Sequence, residues 1–461
     1  MSAKPLFTYI FCILCYYFNV PASAQNDTTT LKQKHRKKWL SELTDTTAGK
    51  QDYYGENIIY YEDHVYGNNI HTVQLNDSSF QLSSPILQLG AGQQLRLSFD
   101  DLEGGLKTYN YTLINCSQNW EPSGLATAEY ITGFGNDAIS EYKYSLNTIQ
   151  PYTHYNVVFP NENMVITKSG NYIIKVYQDN DQDRLVLTKR FMVYDQKVSI
   201  TTSVKPATTV SDRNYKQEID FTINHTGYEI QNPYGDLKVI IMQNGRWDNA
   251  ISNLKPQYVK EDILTYDYDE ENVFTGGSEF RYFDIKNLRF QTERIQKITY
   301  DSLKNHVYLT PDEKRTFKRY STSQDINGRY LIKMQGAFNS EREADYAYVH
   351  FFLSHNDPLT DGNLYISGAL SDWQFKKDFR LKYNPDRLGY EAVLYLKQGY
   401  YNYEYVFLKD GQTAGDETVI EGMHFETEND YTIYVYHRTV GTNYDQLIGI
   451  KRFNSLTSGR N

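Results

Sequence analysis

Tyrosine is the residue that most constrains this chain: 43 of the 461 residues are Tyr, against 22 Phe and 4 Trp. Tyr favours β-strands, because its ring packs on a pleated surface while its hydroxyl reaches water or a polar partner. Strand-like runs recur between clusters of Gly, Asn and Asp, and the clearest hairpin joins residues 171–178 to residues 185–194 across an acidic turn. No long helical period separates these runs. The chain is therefore predicted to be all-β, with tandem immunoglobulin-like or early-set β-sandwich domains.

The strand-like runs fall into three groups along the chain, which agrees with the usual domain size of roughly 150 residues. We place an N-terminal β-sandwich domain at residues 51–195 and a second β-rich domain at residues 196–315. A C-terminal early-set-like β-sandwich follows at residues 316–450, and residues 451–461 form a polar tail.

The start of the chain is typical of a secretory signal peptide, predicted at residues 1–24. Lys4 supplies the positive start, residues 6–20 the apolar centre, and Ala22-Ser23-Ala24 the small-residue cleavage site. Residues 25–50 form a basic polar arm, which we interpret as a solvated segment, with contact to an acidic partner as the alternative. These features predict an exported protein.

Charge and motif content exclude several classes of function. Lys and Arg total 47 against 57 Asp and Glu, a net charge of −10, whereas nucleic-acid binding needs a basic surface. The ten His residues are scattered, and removal of the leader would leave Cys116 as the sole cysteine, so no disulfide or Cys–His metal spacing is available. The chain also lacks a phosphate-binding loop, a zinc-protease motif and a nucleophile elbow. We therefore expect no catalytic residue, no metal, no cofactor and no small-molecule substrate.

One segment resembles the early-set modules that bind glycogen in starch-active enzymes. Gly368–Trp373, Tyr390–Leu396 and Gly399–Phe407 follow the layout of such a module. Trp373 is expected to fill the core, because an aromatic ring close to glycine turns usually packs inside. The alternative is that Trp373 is a platform for a sugar ring, in an exported glycan-binding or polysaccharide-processing protein.

An outer-membrane barrel is a further alternative, since Tyr-rich alternation is typical of such barrels. Residues 185–191 would place charge on the lipid face, at a cost of about 2–4 kcal/mol for each cation near the middle of the bilayer. The sandwich interpretation is therefore preferred.

Several stretches in a fixed order resemble the type IX secretion system plug protein family of Bacteroidota. The resemblance runs from about residue 55 to residue 450, and its order and number of matching stretches carry it. The stretches are Tyr111–Trp120, Glu129–Ile131, Gly133–Phe134, Tyr152–Tyr155, Phe159–Met164, Ser169–Tyr172, Thr188–Val193, Gly276–Asp284 and Glu426–Tyr431.

The resemblance implies a non-enzymatic subunit of the type IX protein secretion machinery. Such a subunit is periplasmic after signal-peptide cleavage and lies at the inner side of the outer membrane, held there by protein contact. Its partner would be the large outer-membrane translocon β-barrel, whose periplasmic opening it binds and closes.

The resemblance supplies no contact residues, so the interface is our own prediction. We place it at the Gly276-Gly277 turn with Arg281 and Tyr282, because exposed Tyr and Arg are favoured at the centres of protein interfaces. The alternative is a core strand and its turn, since Phe280 and Tyr282 alternate like residues on one face of a strand.

Overall fold

Strands pair into three β-sandwiches in the part of the chain that the structure, a computed structural model, describes: residues 58–301 and 303–457. The predicted all-β class with tandem sandwiches is confirmed. No helix among these residues is both long enough and apolar enough to cross a membrane. The signal peptide predicted at residues 1–24, the basic arm predicted at residues 25–50 and the last four residues of the tail lie outside the described residues.

The first sandwich is built from the first twelve strands and encloses one apolar core. Its elements are β1 (His64–Val65), β2 (Ile70–Asp77), β3 (Ile86–Gln88), β4 (Leu95–Asp101), β5 (Tyr109–Cys116), α1 (Thr127–Tyr130), β6 (Ile131–Gly133), β7 (Asn136–Ile139), β8 (Glu141–Tyr144), β9 (Thr153–Phe159), β10 (Met164–Ile166), β11 (Gly170–Gln178) and β12 (Leu185–Tyr194). One sheet has the order β1-β12-β11-β5-β7, with β3 beside β12, and the facing sheet has the order β2-β4-β9-β8. The predicted hairpin is the antiparallel pair β11–β12, with an irregularity between Val176 and Tyr177.

The second sandwich begins directly after the first. Its next elements are β13 (Ser199–Pro206), β14 (Lys216–Asn224), α2 (Pro233–Asp236), β15 (Leu237–Gln243), β16 (Ile251–Ser252), β17 (Tyr258–Lys260), β18 (Ile263–Tyr266) and β19 (Val273–Thr275). One sheet has the order β13-β14-β18-β17, with β19 also paired to β14. Alternation along β14 buries Ile219, Phe221 and Ile223 in the core of this sandwich.

The third sandwich follows, and the chain then returns to the second. Its elements are β20 (Arg281–Asp284), β21 (Ile295–Asp301), β22 (Lys304–Leu309), β23 (Asp312–Glu313), β24 (Tyr330–Ile332), α3 (Ser340–Glu343), β25 (Tyr346–Ser354), β26 (Gly362–Ser367), two 3-10 turns (Ala369–Ser371 and Lys377–Phe379), β27 (Lys382–Asn384), β28 (Gly389–Lys397) and β29 (Gly399–Lys409). Its sheets have the orders β20-β29-β24 and β21-β22-β25-β28-β27. The last strands are β30 (Asp430–His437) and β31 (Gln446–Asn454).

The return of the chain completes the second sandwich rather than the third. Strand β30 pairs with β15, with Leu237 opposite His437 and Gln243 opposite Tyr431, in a sheet of order β16-β15-β30-β31. The predicted second and third domains are continuous segments, residues 196–315 and 316–450. In the structure the second sandwich instead includes β30 and β31, which come after the third sandwich in the chain. The reason is that a strand's own sequence does not encode which distant strand it joins.

Buried tyrosines contribute rings to the cores, and two of them in the third sandwich share one polar partner. Tyr403 and Tyr405 on β29 are fully buried. Both hydroxyls donate to Oδ2 of Asp312, at 2.7 and 2.8 Å. A buried hydroxyl without a partner would cost free energy, so Asp312 allows the core to accept these rings.

An apolar contact joins the first and second sandwiches. It contains Ile86, Cys116, Trp120, Ile173 and Met192 of the first sandwich together with Ile240, Met242, Tyr434, Tyr436 and Leu447 of the second. Cys116 is a free, buried thiol, and burial raises its pKa to about 12. Its role here is packing, since a thiol that does not ionise is a poor nucleophile.

Candidate functional site

A cleft of about 1070 Å³ opens where the three sandwiches meet, and we name it the junction cleft. Each sandwich contributes to its walls. The first supplies residues of β1 and β2 with Arg190, and the second supplies Trp247 and Asp248. The third supplies most of segment 370–379 and the C-terminal half of β28. Clefts at domain junctions are common binding sites, so the junction cleft is the candidate functional site.

A lysine of the first sandwich ties two sandwiches together beside the junction cleft. Nζ of Lys189 lies 2.8 Å from Oδ2 of Asp63 and 2.7 Å from Oδ1 of Asp372, and Nζ of Lys376 lies 2.6 Å from the other oxygen of Asp372. Burial disfavours the charged carboxylate of Asp372, but the charges of Lys189 and Lys376 outweigh it and lower its pKa to about 2. Asp372 is therefore ionised at neutral pH, and its ion pair with Lys189 holds the third sandwich against the first.

The backbone at Asp372 is held in an unusual conformation. Asp372 and Trp373 have φ values of 56° and 57°, a left-handed region that non-glycine residues seldom occupy. Consecutive residues of this kind are often found at functional sites, because the surrounding structure must compensate for their strain. Here the turn directs the carboxylate of Asp372 to Lys189 and places the indole of Trp373 in the cleft wall.

An arginine in contact with two aromatic rings forms another part of the wall. The guanidinium carbon of Arg190 lies 4.5 Å from the ring centre of Trp120 and 5.8 Å from that of Trp247. Its Nε donates to the carbonyl of Tyr61 at 2.9 Å. Burial lowers the pKa of Arg190 from its ordinary value, yet a guanidinium remains charged at any physiological pH. Cation–π contacts of this kind fix the three side chains in one arrangement.

A buried ionic cluster joins the first and third sandwiches next to the junction cleft. Oδ2 of Asp100 accepts from Nζ of Lys397 at 2.6 Å and from the hydroxyl of Tyr346 at 2.7 Å, and Oδ1 lies 2.7 Å from Nδ1 of His154. Burial alone would raise the pKa of Asp100, but the Lys397 charge and the hydrogen bond of His154 hold it below its usual value. The ammonium of Lys397 also stands 4.0 Å from the ring centre of Tyr152.

Trp373 lies half-buried in the wall of the junction cleft. Its ring meets Phe280 edge-on at 5.8 Å, and a Cβ added to Gly328 would approach its Cη2 atom to 2.2 Å. One side of the Trp373 ring packs against the third sandwich, which is the packing role expected from the sequence. The other side lines the cleft, where the sugar-platform alternative would place a sugar ring. Trp247 and Phe375 line the same cleft.

The four residues predicted as a partner interface occupy different environments. Gly276 is buried, and a Cβ there would approach the carbonyl oxygen of His424 to 2.0 Å. Gly277 has φ +66° with open space around its Cα, and Tyr282 is half-buried and stacked on Tyr400 at 5.7 Å. The turn therefore packs into the fold at Gly276 and leaves room at Gly277.

Arg281 differs from the prediction, because its side chain points into the third sandwich and is 7% exposed. Its guanidinium donates to Oε1 of Glu421 at 2.9 Å and to Oδ1 of Asp312 at 2.7 Å. A buried charge that has found its partners inside the fold is not available to a partner protein. Arg281 therefore has a structural role, as the alternative of a core strand implies.

Carboxylates that could attract a metal ion gather on β14 of the second sandwich and the loop after β18. Glu218, Asp220 and Asp267 bring their oxygens close together. Nζ of Lys205 stands among them, 2.6 Å from Asp220, 3.0 Å from Glu218 and 3.5 Å from Asp267. The hydrogen bond to Asp220 is the main reason that the pKa of Lys205 is raised. The lysine thus neutralises the position that a cation would take.

Sequence reasoning did not identify Lys189, Arg190 or Trp247 as parts of a site. Lys189 and Arg190 stand in one of the stretches that carry the family resemblance, where they look like ordinary polar residues of a strand. The available signal was the pair of adjacent cations at the centre of a long strand, where burial demands partners.

The comparisons with known proteins agree with the resemblance noted in the sequence. The model of the family described as "Type 9 secretion system plug protein 1st domain" matches residues 70–195, which include most of the first sandwich. A crystal structure of a hypothetical protein from Parabacteroides merdae is 32% identical, with a TM-score of 0.84, and the match covers 86% of this chain and 100% of that one. A search of curated proteins returns no match. From the family match and the ordered sequence stretches, the chain belongs to the type IX secretion system plug protein family.

Proposed function

We propose that this protein binds the periplasmic opening of the outer-membrane translocon barrel of the type IX secretion machinery and closes it while no substrate passes. The observation that carries the proposal is the match of the first sandwich to the plug-protein domain. A pore wide enough for folded cargo leaks solutes unless something closes it, and a protein that stays folded as one stiff body is suited to that task.

The contacts between sandwiches support such stiffness. The first and second sandwiches share an apolar cluster, and the first and third share the ion pair of Asp100 with Lys397. The second and third are joined by Arg246, whose guanidinium lies 2.9 Å from Glu417 and 3.4 Å from Glu404. Because each pair of sandwiches is joined by buried groups, bending at any junction would break apolar or charged contacts.

The proposed role is structural rather than enzymatic, and the proposed location is the periplasm at the inner face of the outer membrane. The family match supports an envelope protein. The leader predicted from the sequence would direct the chain there.

We propose that the contact with the barrel includes Tyr282 and the open side of the Gly277 turn. Tyr282 offers one ring face to its neighbour Tyr400 and remains half-buried rather than enclosed. An aromatic side chain in this state can complete its burial in a partner.

The first experiment is a mild-detergent pull-down of the tagged protein from envelope membranes of the native host, with copurifying chains identified by mass. We expect recovery of a very large outer-membrane barrel. Purified barrel in a planar bilayer should then conduct less current with this protein on the periplasmic side than without it. Absence of the barrel from the eluate, or unchanged conductance, would contradict the proposal.

The interface is tested by Tyr282→Ala, with Tyr258→Ala as the matched control on β17 of the second sandwich, where Tyr258 is exposed. We expect Tyr282→Ala to reduce recovery of the barrel and the control to leave it unchanged. If Tyr258→Ala reduces recovery and Tyr282→Ala does not, the contact lies instead at the β17 edge of the second sandwich.

Glycan binding is a second candidate, favoured by the position of Trp373 with Trp247 and Phe375 in one cleft. Aromatic faces in a cleft are suited to the apolar faces of sugar rings. It predicts retention of the protein on a polysaccharide column and loss of retention in Trp373→Ala. Recovery of the barrel by a protein that the column does not retain would favour the plug role alone.

A further inference from the structure

Two histidines meet on the outer surface of the third sandwich, far from each other in sequence. His306 is on β22 and His350 on β25, strands that run parallel, with His306 opposite Tyr348 and Tyr308 opposite His350. Nδ1 of His306 lies 2.9 Å from Nε2 of His350. We name these two side chains the histidine pair. The core residues Val307 and Val349 lie on the opposite face of the sheet.

The proton arrangement in the histidine pair follows from a neighbouring carboxylate. Oδ2 of Asp301 lies 3.1 Å from Nε2 of His306. A carboxylate only accepts, so Nε2 of His306 carries the hydrogen and donates it to Asp301. In the tautomer with its hydrogen on Nε2 alone, His306 presents the Nδ1 lone pair toward Nε2 of His350, 2.9 Å away.

We infer that the histidine pair is a binding site for one divalent transition-metal ion that prefers imidazole ligands, of which Zn²⁺ is the type. In this tautomer Nδ1 of His306 is free to bind the ion. His350 becomes the second ligand when its proton moves from Nε2 to Nδ1, which keeps the ring neutral. Imidazole nitrogen is a preferred ligand of Zn²⁺, Cu²⁺ and Ni²⁺.

The distances suit such an ion. Two nitrogens bound to one Zn²⁺ at about 2.0–2.1 Å in tetrahedral geometry are about 3.3 Å apart. The observed separation of 2.9 Å has to widen by a few tenths of an ångström. The rings also have to turn toward the ion, because their centres 5.2 Å apart place the two nitrogens almost head-on. Water would occupy the other positions of the ion, because the side chain of His306 is 19% exposed.

Asp301 is positioned like the carboxylates that accept a hydrogen bond from metal-binding histidines. Such histidines usually donate their other ring hydrogen to a carboxylate, which fixes the tautomer and makes the ligand more basic. Asp301 makes this contact with His306 before any ion is present. Its negative charge also favours a cation at the histidine pair.

Aromatic neighbours hold both rings in position. Tyr308 stacks on His350 with ring centres 4.2 Å apart and planes 14° apart, and Tyr348 stacks on His306 at 5.2 Å and 18°. Nζ of Lys304 donates to the Tyr348 hydroxyl at 3.1 Å. Rings held in place in advance lose less freedom when an ion binds.

The test is titration of the untagged mature protein with ZnCl₂ by isothermal calorimetry. We expect the wild-type protein to bind Zn²⁺ at this site and the variants His306→Ala and His350→Ala to lose that binding. The matched control is His355→Ala, a histidine just beyond the end of β25, which should bind as the wild type does. Asp301→Asn should weaken the affinity by about 10–100-fold, the usual effect of removing such a carboxylate.

A second measurement guards against variants that fail to fold. His306→Gln and His350→Gln keep a polar side chain in place, and circular dichroism without metal checks that each variant folds. With Cu²⁺ as the probe, electron paramagnetic resonance should show nitrogen ligands in the wild type and fewer in each folded variant. A wild type that binds no Zn²⁺, or folded variants that bind it as tightly as the wild type, would overturn the inference.

Discussion

The ammonium of Lys397 lies 2.6 Å from Oδ2 of Asp100, with 1% of each side chain exposed, although the two residues are 297 positions apart. This contact joins the third sandwich to the first. A buried ion pair contributes little net stability as a whole, but removal of one member leaves a charge buried without a partner. The contact therefore makes the relative position of the two sandwiches sensitive to a single substitution.

Lys397→Met should destabilise the protein by about 3–5 kcal/mol, because Asp100 would remain buried and uncompensated. The measurement is urea-induced unfolding followed by fluorescence and circular dichroism. The control is Lys409→Met, which removes a partner of Asp361 at 3.6 Å where both side chains are over 60% exposed, and should change stability by no more than about 1 kcal/mol. Equal effects of the two substitutions would contradict the role of the Asp100 pair.

A second prediction concerns Glu404 in the cluster around Arg246. Burial is the main reason that the pKa of Glu404 is raised to about 8, while the charge of Arg246 acts in the opposite direction. The folded state keeps this carboxyl protonated, whereas the unfolded state ionises it near its ordinary pKa of 4.5. The resulting contribution to stability is complete below the unfolded pKa and is lost as the pH rises through about 8.

Glu404→Gln should therefore flatten the decline in unfolding free energy between about pH 5 and about pH 8. Urea midpoints at several pH values measure this decline. Glu391→Gln is the control, since Glu391 pairs with Arg387 on the surface, and it should leave the pH dependence as in the wild type. If the unfolding free energy of Glu404→Gln still declines as in the wild type, another group causes the decline.

A third prediction concerns Asp372 and the loss of unfolding free energy at low pH. Its pKa is lowered to about 2 from an ordinary value of 3.8. The carboxylate therefore contributes stability above the ordinary value, and that contribution is lost as the pH falls through about 2. Asp372→Asn should reduce stability at neutral pH. It should also make the decrease of stability with falling pH less steep, as measured by urea unfolding midpoints at several pH values. Asp195→Asn, at the more exposed ion pair with Lys197, should do neither.

Gly328→Ala provides the fourth prediction. Gly328 has φ +74°, and its added Cβ would lie 2.2 Å from Cη2 of Trp373. Gly336→Ala is the matched control, because Gly336 has φ +83° with nothing within 4 Å of the added Cβ. Both substitutions strain the backbone by about 1 kcal/mol. Only Gly328→Ala should cost more and shift the tryptophan fluorescence, since it alone displaces the indole. Equal stabilities and equal spectra for the two variants would contradict the close contact between Gly328 and Trp373.

Local features of the chain follow from its sequence alone. The β11–β12 hairpin follows from strand-like residues on both sides of an acidic turn, and the all-β class follows from tyrosine content and alternation. The Gly276-Gly277 turn and Trp373 also follow from local sequence, the first from its neighbours Arg281 and Tyr282 and the second from its place in the early-set-like segment. The direction of the Arg281 side chain was not readable, because its partners Glu421 and Asp312 come from segments 140 and 31 residues away.

The sequence by itself determined the fold class, the hairpin and the family, because propensity, alternation and ordered motifs are properties of neighbouring residues. Only the tertiary structure decided that β30 returns to β15, that Asp100 meets Lys397 and that His306 meets His350 across 44 residues. These contacts depend on strand pairing and on packing between sandwiches. Both are settled by the free energy of the whole assembled core, so no local spacing in the chain records them.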